Sequence, residues 1–178
     1  VLSEVPDRMS YEFSVYPDTA AGRAVWVGFC EAVGNQGPFF NFFRITSGDG
    51  STGQVSFTGD PDSGTMDVAT FTVGDWVTVR AEIDFATATA DLWVDGEKVA
   101  SSVATRPKTF DDPTWGDVTL DKIGVTEYNW SGGGTGVFYI DDVRVASLPT
   151  SEYEHIRSWG QAGTAEGSSD DLTTVRHL

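Results

Sequence analysis

Cysteine is almost absent from this 178-residue chain: Cys30 stands alone. That excludes an internal disulfide framework and any zinc site built on a cysteine cluster. Positive charge is scarce too. Three lysines and eight arginines face 27 acidic residues, for a formal net charge of −16. Such a balance argues against holding a nucleic-acid backbone, which needs a cationic surface, and against an electrostatic grip on anionic lipid. No apolar run approaches the ~20 residues of a membrane-spanning helix, so membrane insertion is not expected. Histidine is limited to His155 and His177, and neither sits in a recognisable motif with a serine or cysteine nucleophile. No glycine-rich phosphate loop follows a strand and opens a helix, because Ser131-Gly132-Gly133-Gly134 lies between strands. The chain starts at Val1 without a leader-like segment, and reads as a processed protein or a piece of a longer one.

Against these absences stand 39% hydrophobic and 12% aromatic residues, enough to build one sizeable core. Eighteen of the 27 acids are aspartate and only Lys98, Lys108 and Lys122 are lysine. At molar salt the screening length falls to ~3 Å, so self-repulsion is damped and a dense acidic surface keeps the chain hydrated. The composition resembles that of halophilic proteins. The alternative is an ordinary acidic extracellular module.

Turn-forming clusters of Gly, Asp, Ser and Thr recur at short intervals, and the runs between them suit strands. Residues 9–16 alternate, with Tyr11, Phe13 and Val15 on one face and Pro17 ending the ladder. Further runs cover 24–29, 39–46 and 54–58. The clearest is 76–85: Val77, Val79, Ala81 and Ile83 share one side, and Trp76, Thr78, Arg80, Glu82 and Asp84 the other. Residues 89–94 alternate again, Ala90, Leu92 and Val94 opposing Asp91 and Trp93. Asp95-Gly96 is then a two-residue hairpin turn into 97–103, since both positions tolerate positive φ. Runs at 118–125 and 137–145 complete about ten strands, spaced as in a β-sandwich. One helix is expected, over 150–160: Ser151 and Glu154 form a capping box after Pro149, and Gly160 is the stop. Residues 161–178 are a polar tail expected to contact a partner.

Four segments carry a family resemblance. Gly74-Asp75-Trp76-Val77-Thr78-Val79, then Ile83-Asp84, then Ala90-Asp91-Leu92-Trp93-Val94-Asp95-Gly96-Glu97-Lys98-Val99 form a tryptophan-led strand and an aspartate-glycine hairpin. Ile140-Asp141-Asp142-Val143-Arg144-Val145 is a closing strand, Leu148 to Glu152 with Ile156 follows it, and Ser10 to Pro17 is an early one. Together these resemble laminin-G-like, concanavalin A-like jelly-roll domains across most of the chain. The resemblance implies an all-β, jelly-roll β-sandwich of two antiparallel sheets over residues 1–149, with one short C-terminal helix packed beside it. Trp76 is then expected to pack on the sandwich rim.

Glu82-Ile83-Asp84-Phe85 partly matches the acidic strand of laminarinase-type glycosidases, which share this fold. Retaining hydrolysis needs two carboxyl groups ~5.5 Å apart across the sugar bond. Ala86 and Thr87 stand where the last acid belongs. The preferred reading is a solvated strand face with Glu82 paired to Arg80, and no catalytic residues.

What remains points to binding. Trp115, Tyr128 and Trp130 lie in polar loops beside residues such as Asn129, the pattern of a sugar platform in which rings stack on pyranose C–H faces while polar groups take the hydroxyls. Trp93 shares the non-core phase with Arg80 and Asp91, and is expected on the open side of its sheet. The structural alternative for each ring is rim packing. Asn129-Trp130-Ser131 is also an N-x-S sequon, which if glycosylated would mark that loop as exposed. Calcium is the one cofactor considered, since laminin-G-like domains often hold it at a loop edge. Asp60, Asp62 and Asp67 offer closely spaced oxygen ligands, and the segment of Asp111, Asp112, Asp117 and Asp121 is a second candidate; neither completes a calcium loop.

The expected function is a non-catalytic carbohydrate-recognition or adhesion module, extracellular or surface-exposed, from a high-salt environment, with a glycan or polysaccharide as partner. The alternative is a structural or assembly domain of a virion or cell-surface appendage, such as a capsid decoration, turret or spike, packed against neighbouring subunits. A glycoside hydrolase or lyase fragment is the weaker third reading.

Overall fold

The computed structural model describes residues 5–18, 23–30, 39–47, 51–60, 64–129, 138–148, 154–159, 163–165 and 172–173. Residues 23, 127–129, 154–159, 163–165 and 172–173 are described through their backbone. The strands are β1 (Arg8–Pro17), β2 (Arg23–Cys30), β3 (Phe39–Ser47), β4 (Thr52–Thr58), β5 (Met66–Thr72), β6 (Val77–Asp84), β7 (Thr89–Val94), β8 (Glu97–Ala104), β9 (Thr109–Asp112), β10 (Gly116–Thr119), β11 (Ile123–Asn129), β12 (Phe138–Ser147), β13 (Glu154–Trp159), β14 (Gly163–Ala165) and β15 (Leu172–Thr173). A seven-stranded sheet runs β13-β12-β1-β6-β7-β8, with β14 also on β12. A six-stranded sheet runs β15-β11-β2-β3-β4-β5, and β9 with β10 forms a separate ribbon. Neighbouring strands of the described residues pair antiparallel.

The two large sheets meet through their alternating apolar faces, as side chains on a pleated strand must. The seven-stranded sheet contributes Met9, Tyr11, Phe13 and Val15 from β1, Val77, Val79, Ala81 and Ile83 from β6, and Ala90, Leu92 and Val94 from β7. Val25, Val27, Phe29, Phe43, Ile45, Val55 and Phe57 answer from the other sheet. Tyr11 sits edge-on to Phe29 and Phe43, with ring centroids 6.0 and 6.1 Å apart. The expected hairpin turn forms at Asp95 (φ 50°) and Gly96 (φ 80°), the positive pair that a two-residue turn between twisted strands requires.

A bulge sets the phase of the other sheet. Gly28 pairs with Phe42 and Phe29 with Phe40, which leaves Asn41 as the extra residue of β3. Asn41 takes φ 47° and is fully buried. Its Nδ2 donates to the Arg106 carbonyl at 3.0 Å, its Oδ1 accepts the Arg106 N–H at 2.8 Å, and its own carbonyl accepts the Tyr11 hydroxyl at 2.6 Å. Gly28 is required beside it, because a Cβ there would lie 2.5 Å from the Phe42 Cα and 2.7 Å from the Asn41 carbonyl oxygen. The bulge sends Phe40 and Phe43 inward while Phe39 and Phe42 join Cys30 in a second buried cluster on the opposite face, packed by Trp26. Burial pushes the Cys30 thiol up to about 11 despite the nearby Lys122 ammonium, so it is inert at neutral pH.

Two expectations are corrected. The helix placed over 150–160 is not found: residues Glu154–Trp159 are a strand paired with β12, while 150–153 and 160 lie outside the described residues. Without β13, β12 would present an unpaired edge along Met9-facing Ser147 and its neighbours, and the ladder satisfies those backbone groups. The single run expected over 118–125 divides into β10 and β11. Strands β5 and β9 were not foreseen, because β5 is a polar sheet edge without clean alternation and β9 is four residues long, ending in two aspartates. Of the polar tail, the described pieces β14 and β15 pair with β12 and β11 of the same chain.

Candidate functional site on the outer sheet face

The face of the seven-stranded sheet turned away from the core carries the off-phase residues of β12, β1, β6, β7 and β8. Alternation alone puts Glu12 and Ser14 there from β1, Thr78, Arg80 and Glu82 from β6, and Asp91 and Trp93 from β7. Trp93 is directly opposite Arg80 on one side and Lys98 on the other. The Arg80 guanidinium lies 4.1 Å and the Lys98 ammonium 4.9 Å from the Trp93 ring centroid, a double cation–π arrangement. Lys98 Nζ also donates to Asp91 Oδ2 at 2.6 Å, and the Ser102 backbone N–H donates to Asp91 Oδ1 at 2.9 Å. Trp93, Arg80 and Asp91, singled out in the sequence, are therefore brought together.

Partial burial would raise the Asp91 carboxyl, but the hydrogen bonds from Lys98 and Ser102 and the charges of Lys98 and Arg8 outweigh it and hold the group below its usual range. A depressed carboxylate contributes stability above its unfolded midpoint and loses it as pH falls through the folded one. Lys98→Met is expected to move the Asp91 midpoint upward, read by carboxyl NMR titration. An unchanged midpoint would mean that the ammonium does not govern this carboxylate.

The acids of the partial glycosidase match are engaged in the fold. Glu82 lies 3.6 Å from Arg80. Asp84 Oδ1 accepts the N–H groups of Ala86 and Thr87 at 3.0 and 3.2 Å, closing the turn that follows β6, and its other oxygen lies 3.5 Å from Arg8. Ala86 and Thr87 belong to that turn and place no third acid on the strand face.

The other sequence-predicted residues do not join this group. Trp115 is exposed in the β9–β10 turn, where Asp112 Oδ1 accepts the N–H groups of Thr114 and Trp115 at 2.8 and 3.1 Å. Tyr128 and Asn129 end β11 in the other sheet, their side chains outside the description, and Trp130 lies outside the described residues. Of the calcium candidates, Asp60 lies 3.2 Å from Arg106 Nε, Asp67 accepts the Ser56 hydroxyl at 2.7 Å, and Asp62 is outside the described residues. In the second set Asp112 closes its turn, Asp121 pairs with Lys122 at 2.9 Å, and Asp111 faces Asp117 across the ribbon. Among the described residues no three acid, histidine or cysteine side chains converge on a point suited to a metal ion.

Sequence reasoning missed a row of rings at one end of the same face. Trp76, just before β6, meets Tyr16 of β1 with centroids 5.5 Å apart, and Tyr16 meets Tyr139 of β12 at 5.8 Å. Trp76 packs against Tyr16 and is 46% exposed. The signal was available: each ring sits one residue out of phase with the apolar set of its strand.

No family model matches the chain, and no curated protein matches it. Solved structures do. The chain is similar to a GH131 beta-glucanase catalytic domain from Podospora anserina, with TM-score 0.50 and 20% identity over 81% of this chain and 60% of that one. It is also similar to a polysaccharide lyase family 18 structure (TM-score 0.42, 10% identity, 75% and 53% covered) and to domains LG4-5 of the mouse laminin alpha1 chain (TM-score 0.40, 17% identity, 97% and 42% covered). The chain thus spans about half of these structures' lengths. The protein is an all-β sandwich of two antiparallel sheets. Its fold is the concanavalin A-like jelly roll that the sequence resemblance implied. Among the described residues no helix is long and apolar enough to cross a membrane.

Proposed function

We propose that this protein is a non-catalytic carbohydrate-recognition module that presents the outer face of its seven-stranded sheet to a glycan outside the cell, in a high-salt setting. The observation carrying the reading is the group Trp93–Arg80–Lys98–Asp91: an indole wall held upright between two cations, with carboxylate and ammonium groups beside it able to exchange hydrogen bonds with sugar hydroxyls. The named activity of the similar GH131 domain makes β-glucan the first ligand to try. The engaged state of Glu82 and Asp84 supports binding without hydrolysis.

The test is calorimetric titration of the intact chain with soluble β-glucan and a panel of other polysaccharides in molar salt, alongside a reducing-end assay. Saturable binding without release of reducing ends is expected, weakened about tenfold by Trp93→Ala. Turnover lost in Glu82→Gln would establish an enzyme instead. A stable oligomer that binds no glycan would favour the assembly reading, as a virion or surface component.

A further inference from the structure

We propose that Tyr139, Tyr16 and Trp76 form the ring-stacking subsite of this face, and that its ligand is an uncharged, pyranose-containing glycan running from this row toward Trp93. The inference rests on the carbohydrate reading and narrows it to a subsite and a ligand class.

Trp93 serves the ligand as a wall rather than as an open stacking platform. A stacking ring needs a free face, and cations from the two neighbouring strands lie over this one at 4.1 and 4.9 Å. Trp76 differs. It is 46% exposed, and its ring neighbour among the described residues, Tyr16, meets it at a tilt of 51° that leaves most of the indole open. Tyr16 and Tyr139 are directly paired across β1 and β12, which extends the row over three adjacent strands. Tertiary pairing alone makes this row, since its members are distant in the chain.

The polar groups beside the row suit hydroxyl recognition. One step along the same phase, the Ser14 and Thr78 hydroxyls lie 2.9 Å apart, and Asp141 is directly opposite Ser14. Two steps along, Arg144 reaches Glu12 at 2.8 Å. From Trp76 to Arg80 is about 13 Å along the strand, and Trp93 is one strand further across, about 5 Å. The row and Trp93 thus bracket a strip long enough for a short run of sugar units.

Charge decides the ligand class. Among the described residues the four cations of the face are compensated within the protein: Arg8 by Asp84 at 3.5 Å, Arg80 by Glu82 at 3.6 Å, Lys98 by Asp91 at 2.6 Å, and Arg144 by Glu12 at 2.8 Å and Asp142 at 3.6 Å. Asp141 adds a negative charge next to the row, on a chain already at −16. A uronate or sulfated chain would meet only paired cations among the described residues of this face, and a repulsive field. A neutral polyol meets rings and hydroxyl partners.

The experiment titrates the full chain in molar salt with laminarin, a neutral β-glucan, and with alginate, a polyuronate. Laminarin is expected to bind and alginate not to. Trp76→Ala is expected to weaken laminarin binding about tenfold and Trp76→Phe to restore most of it, while Met66→Ala, an exposed apolar side chain on the other sheet, leaves it unchanged. Far-ultraviolet circular dichroism and the melting temperature establish that each variant folds. Full-strength binding by folded Trp76→Ala, with binding lost in Trp93→Ala, overturns the subsite and leaves glycan recognition standing. Preference for alginate overturns the ligand class and likewise leaves recognition standing. Binding to neither polysaccharide, or self-association abolished by Trp76→Ala, removes the subsite; the first of these removes the carbohydrate reading as well.

Discussion

Replacing Phe43 by alanine is expected to lower the unfolding free energy by about 3–5 kcal/mol, measured by reversible urea denaturation in molar salt. Phe43 is wholly buried. It stands edge-on to Tyr11 of the opposing sheet at 6.1 Å and to Phe57 of the neighbouring strand at 5.1 Å, so it joins the two layers as well as filling one. Truncation removes the transfer free energy of the ring and leaves a void that Tyr11 and Phe57 fill only in part, since both are held within their own strands. Phe43→Leu is expected to recover more than half of the loss. A change below about 1 kcal/mol for alanine would mean that the sheets do not pack through this ring.

The second large effect falls on a polar residue. Asn41→Ala is expected to cost about 3 kcal/mol, combining two lost buried hydrogen bonds with the strain of an ordinary side chain in left-handed backbone. The Arg106 N–H and carbonyl, now satisfied by the Asn41 amide at 2.8 and 3.0 Å, would be left without that partner. Asn41→Gly separates the two contributions, because glycine accepts φ 47° without strain but makes neither bond. The glycine variant should therefore be the more stable of the two. If both fold as stably as the parent, the asparagine is not what anchors the bulge to residues 105–108.

Core packing also bears on the proposed site. The core faces of β1, β6 and β7 are packed by long-range contacts, so their off-phase side chains are held on a rigid sheet rather than on loops. Trp93 owes its orientation to neighbours on both adjacent strands. A ligand meeting this surface finds groups already in place, which limits the ordering entropy lost on binding.

The chain announced its strands wherever apolar and polar residues alternate, because side-chain direction along a strand has a period of two and depends on nothing distant. The inward sets of β1, β6 and β7 and the shared face of Arg80, Asp91 and Trp93 were legible on that basis, the hairpin from its Asp95-Gly96 turn, and the jelly-roll class from the family resemblance. Phase across a bulge was not. Phe39, Phe40, Phe42 and Phe43 read as one apolar run without phase, and the extra residue Asn41, accommodated by Gly28 on β2, decides which of them reach the core. Nor does local pattern choose between helix and strand for residues 154–159, where the open edge of β12 prevails over a capping box. The ring row follows the same logic: Tyr16, Trp76 and Tyr139 become neighbours because β1 pairs with both β6 and β12. Alternation is a property of a few consecutive residues; which strands lie side by side is settled by backbone hydrogen bonds and apolar burial summed over the whole chain.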